Sequence, residues 1–305
     1  MYTHYKKVVK HIKDYYELYI LVLPAVIIIL LFNYIPMYGV QIAFREFDPS
    51  KGFVGGEFVG LKYFTKFINS FQFTDLIKNT FFLSFYSILA GFPVPIILAL
   101  FINQIKKAKA KKFIQTVSYM PHFISVIVLV GMLSIFLSPS SGIVGHVYRS
   151  FGLDPINFMG ATKYFRSIYV LSDIWQHSGW NSIIYIAALS AIDPTLYEAA
   201  EVDGANRWQK LIMIDIPSLV PTIIILLILN SGNIMNIGFE KVYLMQNSMN
   251  LPVSEVISTY VYKIGIMSNQ ISYASAIGLF NTMINFVFLV FVNFISKKTS
   301  DISLW

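Results

Sequence analysis

Six stretches of this chain are long and apolar enough to cross a lipid bilayer, and nothing else in it constrains the fold as much. They are Leu18–Tyr38, Thr80–Phe101, Phe113–Leu137, Ile168–Ser190, Ser218–Asn236 and Ala274–Ile295. A helix needs about 20 apolar residues to traverse the hydrocarbon layer. No water reaches backbone amides there, so each stretch must close its own hydrogen bonds as an α-helix. The expected fold is an all-α integral membrane protein with six transmembrane helices. Composition agrees: 13% of the 305 residues are charged, about half the share usual in soluble domains.

Lysine placement orients the bundle. Lys106, Lys107, Lys109, Lys111 and Lys112 crowd the short connection after the second stretch, and such clusters stay in the cytoplasm. Lys6, Lys7, Lys10 and Lys13 precede the first stretch and hold the N-terminus on the same side. That stretch is too long for a cleaved signal and no small-x-small site follows it. An even number of spans returns the C-terminus, with Lys297 and Lys298, to the cytoplasm. The net charge of +7 thus reads as topology and contact with anionic headgroups, and no nucleic-acid partner is expected. One six-helix domain, 18–296, is expected between a cytoplasmic segment, 1–17, and a tail, 297–305. Gly91, Pro93 and Pro95 fall inside span two and Pro121 inside span three; each Pro removes a backbone bond, which serves either helix packing or a hinge beside a cavity.

Reactive chemistry is missing. There is no G-x-x-x-x-G-K-[ST], no H-E-x-x-H, no G-x-S-x-G and no cysteine. His4, His11, His122, His146 and His177 share no ligand spacing, so no metal site is expected. His122 follows Pro121 and is expected to bond a carbonyl freed by the kink. Asp173 alone is a plausible intramembrane acid. These absences favour a conduit over an integral-membrane enzyme, and a secondary carrier would show intramembrane charges or a repeated half.

Between spans four and five, Ala191–Pro217 breaks the apolar pattern with "YEAAEVDGANRWQKLIMIDIPSL". Asp193 reads as an N-cap, Pro194 as the first helical residue and Gly204 as the stop. Glu198 and Glu201 lie early in this helix, where negative charge is favoured. A second helix, about Asn206–Ile214, carries Trp208, Leu211 and Ile212 until Pro217 ends it. An amphipathic linker lying on headgroups would need a continuous apolar face and basic flanks. Two acids beside a double alanine fit a socket in another protein better.

The order Glu198-Ala199-Ala200, three residues, Gly204, nine residues, Ile214-x-Ile216-Pro217 resembles the EAA signature of permease subunits in binding-protein-dependent ABC importers. The family more often has Leu at the position of Ile216, a change that keeps shape and polarity; Asp203-Gly204-Ala205 is also typical. "FVGLKYF", "QTVSYMPHFIS", "SDIWQHSGWNSIIYIAALSAIDPTLYEAA" and "SYASAIGLF" resemble the carbohydrate branch, in particular the lplB-like permeases for complex polysaccharides or aldouronates. The resemblance implies the type I importer permease (MetI-like) fold. It also implies that Glu198 faces a separate ATPase, that Ala199 and Ala200 pack on it beside Asp203, and that Gly204 sets the turn. The implied partners are a second, related permease, two ATPase subunits holding ATP and Mg, and an extracellular solute-binding protein, a lipoprotein in a Gram-positive cell. The implied cargo is an oligosaccharide, long or acidic.

Two sets of polar residues are candidates for contact with that cargo. In span four, Tyr169, Asp173, Gln176, His177 and Trp180 fall on one helical face. In span five, Asn230, Asn233 and Asn236 recur every three residues. Amides and polar aromatics suit sugars, matching hydroxyls and covering C–H faces; the same residues also serve as interhelical glue. Asp173 has Arg166 and Lys163 nearby in sequence as ion-pair partners. Trp175 reads as an interfacial anchor, and Ala274 with Gly278 as a small pair permitting close packing.

Overall fold

The structure is a computed structural model that describes residues 11, 14–52, 55–300 and 303–304. The N-terminal lysines Lys6, Lys7, Lys10 and Lys13 lie outside the described residues, as does His4. Four helices are individually long and apolar enough to span a membrane: Tyr16–Phe44, Phe73–Asn103, Arg207–Ser231 and Ile271–Ser300. Two bent pairs complete a set of up to six, Ala108–Phe123 with Val126–Phe136 at 94° and Thr162–Ser190 with Pro194–Val202 at 68°. We number the spans one to six in chain order, taking Thr162–Ser190 as span four.

The chain divides into two compact units, one of Met1–Phe67 with Ile264–Leu279 and one of Ile68–Lys263 with Phe280–Trp305. In the first unit, span one is exposed along its whole apolar window. It widens into a π turn at Leu30–Tyr34 just before Pro36, where proline has no N–H for the normal α bond. Beyond it, the Phe47 N–H donates to Ser272 Oγ at 2.8 Å. Ala274 lies close to Gly265, where an added Cβ would come within 2.8 Å of its own, whereas a Cβ on Gly278 would meet nothing.

The second unit is organised by span four, which packs against spans two, three and five. Small and hydroxyl-bearing residues make this possible. Ser172, Ser178, Gly179 and Ser182 are buried, and the three serine hydroxyls donate back along the helix to the Ile168, Ile174 and Gly179 carbonyls. At Gly179 a Cβ would collide with the Ser118 carbonyl, so only glycine allows spans three and four to cross there. Span three breaks at Ile124–Ser125, after Pro121, and Ser125 caps the second half by accepting from the Val128 N–H at 3.3 Å. Span two runs on through Phe92 with Pro93 and Pro95 in the turn that follows.

Span five differs from expectation at both ends. Pro217 terminates nothing: Arg207–Lys210, a π turn at Leu211–Asp215 and Ile216–Ser231 form one helix. The widened turn absorbs the missing proline N–H, so the short second helix is the root of span five itself. At the other end the helix stops at Ser231, short of Asn233 and Asn236.

Candidate functional site

The charged segment after span four is a helix, Pro194–Val202, built as its sequence dictates. Asp193 accepts from the Thr195 N–H at 2.9 Å, a bond that holds its carboxyl below the usual carboxylate range. Gly204 closes the helix with φ +77° while the Ala205 N–H reaches back to the Ala200 carbonyl at 2.8 Å, the left-handed ending glycine is suited to. The helix buries none of its residues. Glu198, Ala199, Asp203 and Gly204 are exposed and Ala200 half-buried, so the five residues picked out by the signature lie along a largely bare surface.

Beneath that surface the helix is tethered. The Tyr197 hydroxyl donates to Asp215 Oδ1 at 2.5 Å, and Gln104 Nε2 donates to Asp215 Oδ2 at 2.9 Å. Burial, and then the Asp215 carboxylate accepting its proton, hold the Tyr197 hydroxyl well above the ordinary tyrosine range. Lys210 Nζ meets Glu201 Oε1 at 2.5 Å, and together with the more distant Lys106 it lowers the Glu201 pKa.

Spans two, four and five also border an open cavity of about 690 Å³ lined by Ser87, Phe92, Asp173, His177, Trp180 and Asn230 among others. Asp173 Oδ1 takes Lys241 Nζ at 3.2 Å and has His177 Nδ1 at 3.3 Å. Lys241 is buried, also donates to the Tyr169 carbonyl at 3.0 Å and stands 4.7 Å over the Tyr169 ring. Trp180 stacks on His122, centroids 4.4 Å apart and 4° from parallel, with Phe123 edge-on. The lining thus offers the Trp180 indole, backed by His122, with the Asn181 and Asn230 amides and a carboxylate paired with lysine, groups that accommodate a polyhydroxylated chain. No group of three metal-ligating side chains occurs among the described residues.

The sequence profile of one family, described as "Binding-protein-dependent transport system inner membrane component", matches residues 91–301. The chain belongs to that family. It is a multi-pass membrane permease component of a binding-protein-dependent ABC importer and not itself an enzyme. The permease is 40% identical, over 93% of its length and 88% of the relative's, to the "Polygalacturonan/rhamnogalacturonan transport system permease protein YteP" of Bacillus subtilis (strain 168). It is also 40% identical to "Protein LplB" of the same organism, over 92% of this chain and 88% of that one. Among solved structures it is similar to a bacterial ABC transporter involved in the import of the acidic polysaccharide alginate. That likeness has a TM-score of 0.87 and 40% identity, covering 96% of this chain and 99% of the other. A bacterial alginate ABC transporter in complex with alginate pentasaccharide-bound periplasmic protein matches with a TM-score of 0.86 and 40% identity, covering 97% of the permease and 99% of that chain.

The permease brings only some of its sequence candidates together. Asp173, His177, Trp180 and Asn230 line the cavity. Tyr169 does not: it is buried in a core with Leu83, Val170 and Val242. Gln176 is buried too, donating to the Ile124 carbonyl at 2.7 Å, which satisfies backbone freed by the break in span three. Asn233 and Asn236 lie past the end of span five, so the three asparagines do not form a helical row. Asn236 donates to Asn233 at 3.4 Å and accepts from Asn281 at 2.8 Å. Asp173 pairs with Lys241 and not with Arg166, which donates to Asn79. His122 stacks where a carbonyl bond was expected; its Nδ1 is buried with no partner among the described residues. Lys241, His122 and Asp215 were missed because their partners lie 68, 58 and 18 residues away along the chain, respectively. A lone acid in the apolar run "LIMIDIP" was the one available signal.

Proposed function

We propose that this permease forms half of the translocation pathway for acidic oligosaccharides and takes its drive from a separate ATPase docked on Pro194–Val202. The single observation that carries this is the helix itself: it bears Glu198-Ala199-Ala200, buries nothing of its own and is tethered from beneath. A rigid, bare peg of this kind needs an external socket. A second permease subunit, two ATPase subunits binding ATP and Mg, and an extracellular solute-binding protein, a lipoprotein in a Gram-positive cell, complete the importer. The helix and the lysine-rich connection influence one another electrostatically through Glu201 and Lys106, which supports placing both in the cytoplasm with the two termini. The acidic cargo is supported by the relatives' own substrates, polygalacturonan and alginate. It is also supported by a cavity in which Asp173, the one lining carboxylate among the described residues, has a lysine beside it.

The decisive experiment reconstitutes the assembled importer in proteoliposomes and compares wild type with Glu198→Lys. The expected result is loss of uptake and of ATPase association with membrane insertion intact. Uptake at the wild-type rate would overturn the docking assignment. Presenting the binding protein loaded with oligogalacturonate or with a neutral oligosaccharide tests the cargo; faster uptake of the neutral chain would overturn the acidic one.

A further inference from the structure

Asp215 is a carboxylate almost wholly withdrawn from solvent, 1% exposed, in a run of apolar residues. No cation lies within ion-pair distance of it among the described residues; its two oxygens are held by a phenol and an amide. Burying a carboxylate on neutral donors is expensive, and an aliphatic side chain would stabilise the fold more. What the carboxylate does that no aliphatic side chain does is bond two elements at once, by short charge-assisted hydrogen bonds.

The three elements meeting there have different connections. The helix Pro194–Val202 follows directly on span four and leads through a short turn into span five. Span two ends at Asn103, far from this segment in the chain, yet it lines the cavity with Ser87, Gly91, Phe92 and Pro95. Gln104, the residue capping span two, reaches Asp215. The π turn at Leu211–Asp215 sets the direction. Its extra residue rotates Asp215 inward, while Ile212 and Met213 face out at 58% and 72% exposure. π turns of one cycle are frequent where a helix carries function.

We propose that Asp215 is a positioning residue: it carries displacement of the helix Pro194–Val202 into span two as well as span five, so that both cavity walls move with the ATPase. This rests on the reading of that helix as the ATPase contact. The bond geometry gives each oxygen one element, Oδ1 the helix and Oδ2 span two, and the residue's own backbone belongs to span five.

The test measures substrate transported per ATP hydrolysed by the assembled importer in proteoliposomes, alongside the yield of assembled complex. Asp215→Leu is expected to lower that ratio at least about fivefold, the low end of ordinary allosteric coupling, in complexes that still hydrolyse ATP. Asp215→Asn keeps an acceptor for Tyr197, and Gln104 can present its amide oxygen to the new amide, so this variant is expected to recover most of the ratio. A merely structural role would lower the yield and leave the ratio alone. If Asp215→Leu does not assemble, Tyr197→Phe deletes one hydroxyl and its ratio decides. A wild-type ratio in Asp215→Leu, or in Tyr197→Phe where that stands in, overturns the proposal. Should Glu198→Lys retain ATPase binding and uptake, the docking assignment fails; should it lose both while the Asp215 and Tyr197 variants stay coupled, only the joint fails.

Discussion

Around the helix Pro194–Val202 the hydrogen bonds that set its ends join residues two to five apart: Thr195 to Asp193, Gly204 to Glu201 and Ala205 to Ala200. Around the cavity they cross the fold, Lys241 to Asp173 over 68 positions and Gln176 to Ile124 over 52. The first region is a local device with its working face left bare. The second exists only once the helices have packed. Damage should therefore behave differently in the two places: in the packed helices that build the cavity it should first threaten assembly, and at the peg it should first threaten communication.

The largest effect is expected where packing is tightest. Gly179→Val puts side-chain atoms into the Ser118 carbonyl, and overpacking of this severity costs about 3 kcal/mol or more. Folded permease should vanish from detergent extracts, measured by size-exclusion chromatography. Gly131→Val, on span three where an added Cβ meets nothing, should leave the yield unchanged. Equal yields for the two variants would show that the crossing of spans three and four is not as close as described.

Next comes the ion pair, whose partners are unequally placed. Lys241 has 4% of its side chain exposed and Asp173 has 41%. Removing the acid leaves an ammonium sealed in with the Tyr169 carbonyl and ring face but no counter-charge, so Asp173→Ala should destabilise by about 3–5 kcal/mol, as broken buried pairs do. Removing the amine leaves a carboxylate open to the cavity with His177 beside it, and Lys241→Met should cost about 1 kcal/mol or less. The double variant should recover most of the loss from Asp173→Ala. Thermal unfolding in detergent separates these outcomes. Equal costs for the two single changes would mean that the exposure of the pair is misassigned.

A smaller effect is expected at the aromatic pair. Trp180 stacks flat on His122 and lines the cavity, and a stacked ring contributes about 0.5–1.5 kcal/mol beyond its area. Trp180→Ala should lower uptake about twofold to thirteenfold without loss of folded protein, by that same arithmetic. Unaltered uptake would remove this ring from the pathway.

The contrast also explains what could be read in advance. The six spans, the Asp193 cap, the Gly204 stop and the exposed signature all follow from residues near one another in sequence, and local propensity dictates them. Asp173, His177, Trp180 and Asn230 were legible as polar groups in apolar helices, which must face something other than lipid. Periodicity alone could not separate Gln176 and Tyr169, spent on packing, from the neighbours that line the cavity. Nor could it show that span five stops at Ser231, because the apolar pattern runs on past the helix end. Lys241 and Asp215 needed the fold, since each matters only through a partner on another element.

The mildest perturbation is expected at the peg's own end. Gly204 has φ +77° but open space around it, so an added methyl meets no atom. The cost of Gly204→Ala is then backbone strain alone, about 1 kcal/mol for a non-glycine residue in the left-handed region. Global unfolding should barely register it, because the helix buries none of its side chains. What the change does loosen is the closing bond from the Ala205 N–H to the Ala200 carbonyl, and with it the angle at which Glu198 and Ala199 are presented. A modest fall in ATPase affinity, about two- to fivefold for that strain, with an unchanged melting temperature is the expected pair of readings. Gly204→Asn should fall less, since asparagine tolerates the left-handed region better. A drop in melting temperature with affinity intact would reverse the contrast, making the peg's end part of the packed fold and not of its working face.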